Sequence, residues 1–453
     1  MNFDPSFLAL DKMHAWELYS ANIMAELRQC KDEGRDVEKY EKLAEGIAAL
    51  DATPIREELG NIFYKAMMEA PIRADYPYVE PSDLEGIQAA RPADRIEWQK
   101  PEKNDALSRK FLGAWMGRVC GCLLGKPVEG WRTPDLHKLL KESDNFPLKR
   151  YMTSADVEKA GLTEKSNKWA KWIDLVKDAA PCDDDTNYTA LASRVIERWG
   201  RDFTPGDMAD AWVEYQPKRA YCTAERRAFR NFVIGIRPPM SAIYKNPDRE
   251  FIGAQIRGDY FGYINPGDPE TAADMAWRDA CISHVKNGIY GEMFVAAMLA
   301  VAAVCDDVKT VILEGLKQIP EKSRLTERVK AVVQWYDEGV SQAECFKRIH
   351  EEWDEFEAYD WVHTISNAMI VTASLLYGEK DYSRSICMAV ETGFDTDCNG
   401  ATVGSILGMM LTDAGIGEEW TAPIHGKLST NIFGMDCVSL PELAEMTMTH
   451  LPG

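Results

Sequence analysis

Residues Gly113 to Gly125 read GAWMGRVCGCLLG, with glycine at every fourth position, and Gly400 to Gly408 read GATVGSILG with the same spacing. Four residues are close to one helical turn, so each set forms a stripe along one face of a helix. A glycine inside a helix costs about 1 kcal/mol relative to alanine, and seven of them must be offset by something. A stripe without side chains lets two backbones approach closely, which would supply the offset; the alternative is that Gly113 to Gly125 is a flexible loop. A phosphate-binding P-loop is excluded. It needs G-x-x-x-x-G-K-[ST], whereas Gly121 to Pro127 reads G-x-x-x-G-K-P.

Working outward, the pattern stays helical. Tyr188, Leu191, Val195 and Trp199 step by three and four residues and line one helix face. Met293 to Cys305 is an unbroken apolar run of 13 residues, which reads as a helix buried on all sides and is too short to span a bilayer. Alternating β patterns are scarce. The expected fold class is all-α. Prolines 71, 77, 81, 92 and 101 mark an extended connector between Pro71 and Asn104, because proline fixes φ and removes a backbone donor. Before it, Trp16 to Met68 reads as a small extension of two or three helices, so that residues 1–105 form an N-terminal extension and connector and residues 106–453 the main domain. Prolines 238, 239, 247 and 266 mark a long structured loop from Ile236 to Gly267.

The 453 residues carry 52 Lys and Arg against 73 Asp and Glu, a net charge of −21. That balance disfavours nucleic acid and anionic membrane surfaces as partners, since both need clustered basic residues. Met1 to Pro5 has no basic segment leading into an apolar one, so no signal peptide is read there. Eleven cysteines without a Cys-x-x-Cys pair suit reduced thiols in a cytoplasmic protein.

Chemistry is concentrated in two acidic stretches. Asp183-Asp184-Asp185-Thr186 precedes a helix expected from about Thr186, and Asp395-Thr396-Asp397-Cys398-Asn399 precedes one expected from Gly400. Each could be a solvated loop or a helix cap. Both, however, open apolar helices, and two carboxylates 4 Å apart repel by about 4 kcal/mol at an effective dielectric of 20. Five carboxylates with flanking Thr and Asn are hard donors suited to Mg²⁺, Mn²⁺ or Ca²⁺. Two divalent ions would nearly neutralise them, and a pair about 3.5–4 Å apart is the usual arrangement for metal-assisted hydrolysis. Glu129, just past the first glycine stripe, is either a mobile carboxylate over this site or a surface residue. His284 in Ser283-His284-Val285-Lys286-Asn287-Gly288 and His363 in His363-Thr364-Ile365-Ser366-Asn367 are either site residues or structural ones. Arg257 is read as a phosphate contact or, in preference, as a partner of Asp259. Trp361 and Tyr290 are read as pocket-lining or core aromatics.

Four segments, Gly113 to Trp131, Asp183 to Thr186, Ser283 to Ala300 and Gly393 to Gly408, occur in an order and spacing that resemble the ADP-ribosylglycohydrolase family, over about residues 106–430. The resemblance implies an all-α orthogonal bundle with two Mg²⁺ or Mn²⁺ ions in its cleft. It places the metal ligands on Asp183, Asp184, Asp185, Asp395, Asp397 and Cys398, and the family's mobile glutamate on Glu129. Catalytic roles then fall on Asp184, Asp397 and Glu129. Substrate contacts are expected from Gly125 and Glu129, from His284, Asn287, Gly288 and Tyr290, and from His363 and Asn367. The implied partner is ADP-ribose or another ribosyl small molecule, or an ADP-ribosylated protein, cleaved at the glycosidic bond. Asp183 stands where the family has a hydroxyl, and Cys398 where it has Thr or Ser; a thiol is a poor ligand for hard cations. The competing readings are a two-metal phosphoesterase and a non-catalytic ADP-ribose-binding or structural member.

Overall fold

Asn104 caps the Asp105–Gly125 helix by accepting a hydrogen bond from the Leu107 backbone N–H at 3.1 Å. In the computed structural model, which describes residues 10, 13–14, 17–166 and 171–452, this helix packs antiparallel against the Thr396–Leu411 helix along their glycine faces. Met1 to Pro5 and Trp16 lie outside the described residues. A Cβ built on Gly113 would fall 2.3 Å from the Gly408 carbonyl oxygen, on Gly117 2.1 Å from that of Gly404, and on Gly121 2.0 Å from that of Gly400. The approach is equally tight from the other side. No side chain fits between these backbones, so close packing is what offsets the helix cost of the glycines. The series ends at Gly125, opposite Thr396, whose hydroxyl donates to the Gly125 carbonyl at 2.9 Å.

Both acid-led helices begin earlier than expected. The first runs Asp184–Trp199, with Asp183 as its N-cap accepting from the Asp185 N–H at 3.1 Å. The second starts at Thr396, with Asp395 as its N-cap residue. The acids begin these helices rather than precede them, because carboxylates suit the positive end of the helix dipole. Asn287–Ala302 and Thr364–Tyr377 are buried along their whole lengths and fill the centre of the bundle. Among the described residues there are twenty-two α-helices and one antiparallel pair of short strands, Lys427–Ser429 and Cys437–Ser439, so the fold is all-α. No described helix is long and apolar enough to cross a membrane, and all eleven cysteines are free.

The N-terminal stretch folds as Ile23–Asp32, Glu41–Ala48 and Pro54–Glu69 around its own small core of Leu27, Val37, Ile47, Phe63 and Met67. It is fastened to the bundle by buried charges. Arg249 bonds Glu26 at 2.8 Å and Glu33 at 2.6 Å, and Gln29 donates to Glu250 at 2.7 Å. Removing one member of such a group would leave an uncompensated buried charge, so the junction depends on all of them. The connector is mostly extended, with one departure from expectation. Leu84–Ala90 is a helix, capped by Asp83 and anchored to the main core through Ile87.

The glycine contacts give a sharp stability prediction. Gly121→Ala should destabilise the protein by about 3 kcal/mol or more, because backbone must move to admit the methyl. Gly46→Ala, in the Glu41–Ala48 helix with nothing within 4 Å of the new carbon, should stabilise by up to about 1 kcal/mol. Chemical denaturation of the two variants checks both signs, and equal effects would contradict the packing argument.

Candidate active site

The register of the two glycine helices sets Asp395 and Asp397 beside Lys126 and Glu129, and the Asp184–Trp199 helix brings the first acidic stretch to the same place. Carboxylate oxygens of Asp185 and Asp397 and the Cys398 sulfur lie within 4.8 Å of one another, as do oxygens of Glu129, Asp395 and Asp397. Cys122, Asp183 and Asp185 form a third such group. Asp184 faces the cavity beside them. At the centre is Lys126, whose Nζ lies 2.6 Å from Asp183 Oδ2, 2.7 Å from Glu129 Oε2 and 3.2 Å from Asp397 Oδ2.

One ammonium does not neutralise six carboxylates. Burial and the surrounding carboxylates push Asp184, Asp185 and Asp395 well above the usual range, and they push Asp397 up to about 7. Asp183 alone is lowered: burial opposes ionisation, but the Lys126 ammonium and the Asp185 N–H outweigh it. Oδ1 of Asp185, Asp395 and Asp397 is buried and accepts no hydrogen bond. Orphaned, crowded oxygens of this kind fit a hard divalent cation, for which the donor set is suited. Cys398 has a different part. Burial and the neighbouring aspartates hold its thiol protonated, and it donates to Asp185 Oδ2 at 3.4 Å.

Several residues expected at the site brace it from behind. Asn367 accepts from the Asp395 N–H at 3.3 Å and from Asn399 Nδ2 at 2.8 Å, and so positions the second acidic stretch. His363 caps its helix by accepting from the Ile365 N–H at 3.1 Å, and it stacks on Trp353. Asn287 spends its amide on Glu80 and Glu250, Tyr290 donates to the Pro81 carbonyl, and Gly288 makes room for the Arg249 carbonyl. These three hold the connector and the proline-rich loop and do not line the acidic cavity. His284 is buried beside Ser283 at 2.8 Å, and desolvation and Arg257 keep it neutral. Arg257 does not pair with Asp259 as expected. It is fully buried among Glu225 at 3.0 Å, Asp279 at 3.1 Å and Glu292 at 3.4 Å, whereas Asp259 pairs with Arg118 at 2.9 Å. Asp259 sits too close to Arg118, and Arg257 too deep among other acids, for the local pairing to form. Arg118 also donates to the Asp185 carbonyl at 2.6 Å and so steadies the first acidic stretch.

Lys126, Cys122 and Arg118 were not singled out in the sequence. Their signal is faint but present: Arg118 and Cys122 stand within, and Lys126 directly after, the glycine-rich apolar stretch from Phe111 to Gly125, where a polar side chain needs a buried partner.

The acids open into a cavity of about 380 Å³. Glu129, Asp184, Asp185, Asp395 and Asp397 form one end, and Phe251, Ile252, Tyr359, Trp361 and Val362 line much of the rest. Asn22 and Ala25 of the N-terminal extension also contribute to its wall.

A family model described as ADP-ribosylglycohydrolase matches residues 103–449. The chain belongs to the ADP-ribosylglycohydrolase family. This is a family of glycosyl hydrolases, and its match begins just before the first glycine helix and takes in Glu129 and all five aspartates of the cluster. Forty-one chains of solved structures match. One of them, titled "ADP-ribosylglycohydrolase-related protein complex", superposes with a TM-score of 0.50 at 18% identity, over 77% of this chain and 98% of that one, and so shares the fold. No curated protein sequence matches.

Two measurements probe the charge arrangement. Asp184→Ala and Asp397→Ala should each abolish Mn²⁺ binding in isothermal calorimetry; an unchanged titration would remove the metal assignment. Glu225, in the cavity wall, is pushed up to about 7, chiefly by burial and with only a share of Arg257 to offset it. Its contribution to stability is therefore full below about pH 4.3, where the unfolded group also holds its proton, and is lost as pH rises through 7. Glu225→Gln should flatten the decline of unfolding free energy between pH 5 and 7 by roughly 1.4 kcal/mol per unit. The same slope in both proteins would show that Glu225 is ionised throughout.

Proposed function

We propose that this protein hydrolyses the glycosidic bond between ADP-ribose, or a related ribosyl group, and its acceptor, using Mg²⁺ or Mn²⁺ held by Asp184, Asp185, Asp395 and Asp397 together with Asp183. The observation that carries this reading is the convergence of two distant acidic stretches, with orphaned oxygens, on one end of a cavity. Bound there, two such ions would supply Lewis-acid chemistry, orienting vicinal hydroxyls of the sugar and polarising water.

The remaining roles belong to the chain. Glu129 is accessible, with its side chain about 34% exposed, on the loop that follows the first glycine helix. It is in place to pass a proton to or from the leaving group, tethered meanwhile by Lys126. The crowded carboxylates favour positive charge developing at the anomeric carbon. Asn367, Arg118 and the Thr396–Gly125 bond hold the acids in position, so that little reorganisation is needed during reaction. Phe251, Tyr359 and Val362 form an apolar wall to the rest of the cavity.

Mn²⁺-loaded protein should release free ribosyl product from an ADP-ribosyl-arginine or aryl riboside panel and leave bis-p-nitrophenyl phosphate intact. Asp397→Asn should lower turnover by about 10³-fold or more and Glu129→Gln by about 10²-fold. Cleavage of the phosphodiester instead would favour the phosphoesterase reading, and ligand binding without turnover the non-catalytic one.

A further inference from the structure

The cavity beyond the acids differs sharply from what a nucleoside diphosphate requires. Among the described residues, no Lys, Arg or His lines it. Its charged members outside the acidic end are Glu225 and Asp248, both negative, each bonded from behind by a buried arginine: Arg257 at 3.0 Å and Arg227 at 2.8 Å. Lys126 is occupied by three carboxylates. Arg28 and Arg132 stack on the rings of Tyr359 and Trp361, at 5.3 and 4.8 Å, but neither is itself part of the lining. The Thr223–Val233 helix does begin at the cavity, yet Glu225 in its first turn lines the same space and sets a carboxyl group where an anion would approach. An ionised phosphate buried without a cationic partner is strongly disfavoured.

What the lining offers instead is flat and apolar. Phe251, Ile252, Tyr359, Trp361 and Val362 face the space, and Ala25 packs against the Phe251–Tyr359–Val362 cluster from the N-terminal extension. That wall is fixed: Tyr359 donates to Gln29 at 2.9 Å, and Glu26 and Glu33, on the same helix as Ala25 or just after it, grip Arg249. At about 380 Å³ the space is near the small end of the roughly 300–1,000 Å³ range of ligand pockets.

We propose that the substrate is a phosphate-free ribosyl compound with a small, flat, uncharged or cationic aglycone, and that the N-terminal extension is the specificity wall that seats this aglycone and excludes ADP-ribosylated macromolecules. The proposal rests on the glycosidase reading for the sugar end and narrows its substrate. The extension thereby becomes part of the substrate site, and Ala25 is the position where the missing positive charge can be supplied.

The test uses the full chain loaded with Mn²⁺ and two probes, p-nitrophenyl riboside and ADP-ribose, in calorimetric titration and in turnover of p-nitrophenyl riboside against ADP-ribosyl-arginine. The wild type should bind the riboside at least roughly tenfold more tightly than ADP-ribose. Ala25→Arg should weaken the riboside and tighten ADP-ribose by roughly tenfold, with melting temperature and Mn²⁺ affinity as controls for folding. Tighter binding or faster turnover of the ADP-ribosyl probe by the wild type overturns the proposal while leaving the glycosidase reading intact. Tight binding of the riboside without hydrolysis does the reverse. A ratio that Ala25→Arg does not move removes the extension from the site, and failure of both probes to bind removes both readings.

Discussion

Everything at the active end depends on contact between two bare stretches of backbone. Glycine carbonyls of the Asp105–Gly125 and Thr396–Leu411 helices lie where side chains would otherwise stand. Contacts of that kind are short-ranged and additive, and they vanish if either helix rises by the thickness of one methyl group. The acids are placed as a consequence. Asp395 and Asp397 occupy the start of one helix and Lys126 and Glu129 the end of the other, so the distance between opposite charges follows from how closely the two axes lie.

The second constraint is electrostatic. Six carboxylates beside a cavity, with one lysine among them and several orphaned oxygens, make an arrangement that is costly in isolation and suited to receiving positive charge. The fold meets that cost with rigid support from outside the cluster: Arg118 beneath the first acidic stretch, Asn367 beneath the second, and the Cys398 thiol between them. The same economy appears around Arg257 and Arg249, each surrounded by acids and sealed from water. This chain repeatedly uses one buried cation to organise several anions.

Much of this was legible from residue types. Glycine at steps of four has few explanations other than close helix contact, and paired acidic stretches at the heads of apolar helices ask for a cation. The all-helical class follows from the same periodicities. What could not be read was partnership across distance. Nothing in the spacing says which glycine faces which. Asn287 and Tyr290 sit in a segment that looks like site chemistry, yet their partners are Glu80 and Pro81, some two hundred residues earlier. Arg257 was matched to its neighbour two positions away because local pairs are the visible ones; Glu225, Asp279 and Glu292 are brought to it only by folding. Asn22 and Ala25 carry no reactive group at all, so their place in the cavity wall had no chemical signature.

The hydroxyl of Thr396 on the carbonyl of Gly125 has a consequence beyond its own strength. Two combs with teeth one turn apart mesh equally well after slipping by a tooth, and such a slip would slide one helix about 6 Å along the other. Most glycines would still find glycines, although the helices packed on either side would have to shift. The acids, however, would miss each other. The Thr396 bond and the Lys126–Asp397 ion pair at the mouth, helped at the far end by the snug seat of Gly113 against Thr412 and Asp413, select the one phase in which a sound scaffold also has chemistry to perform.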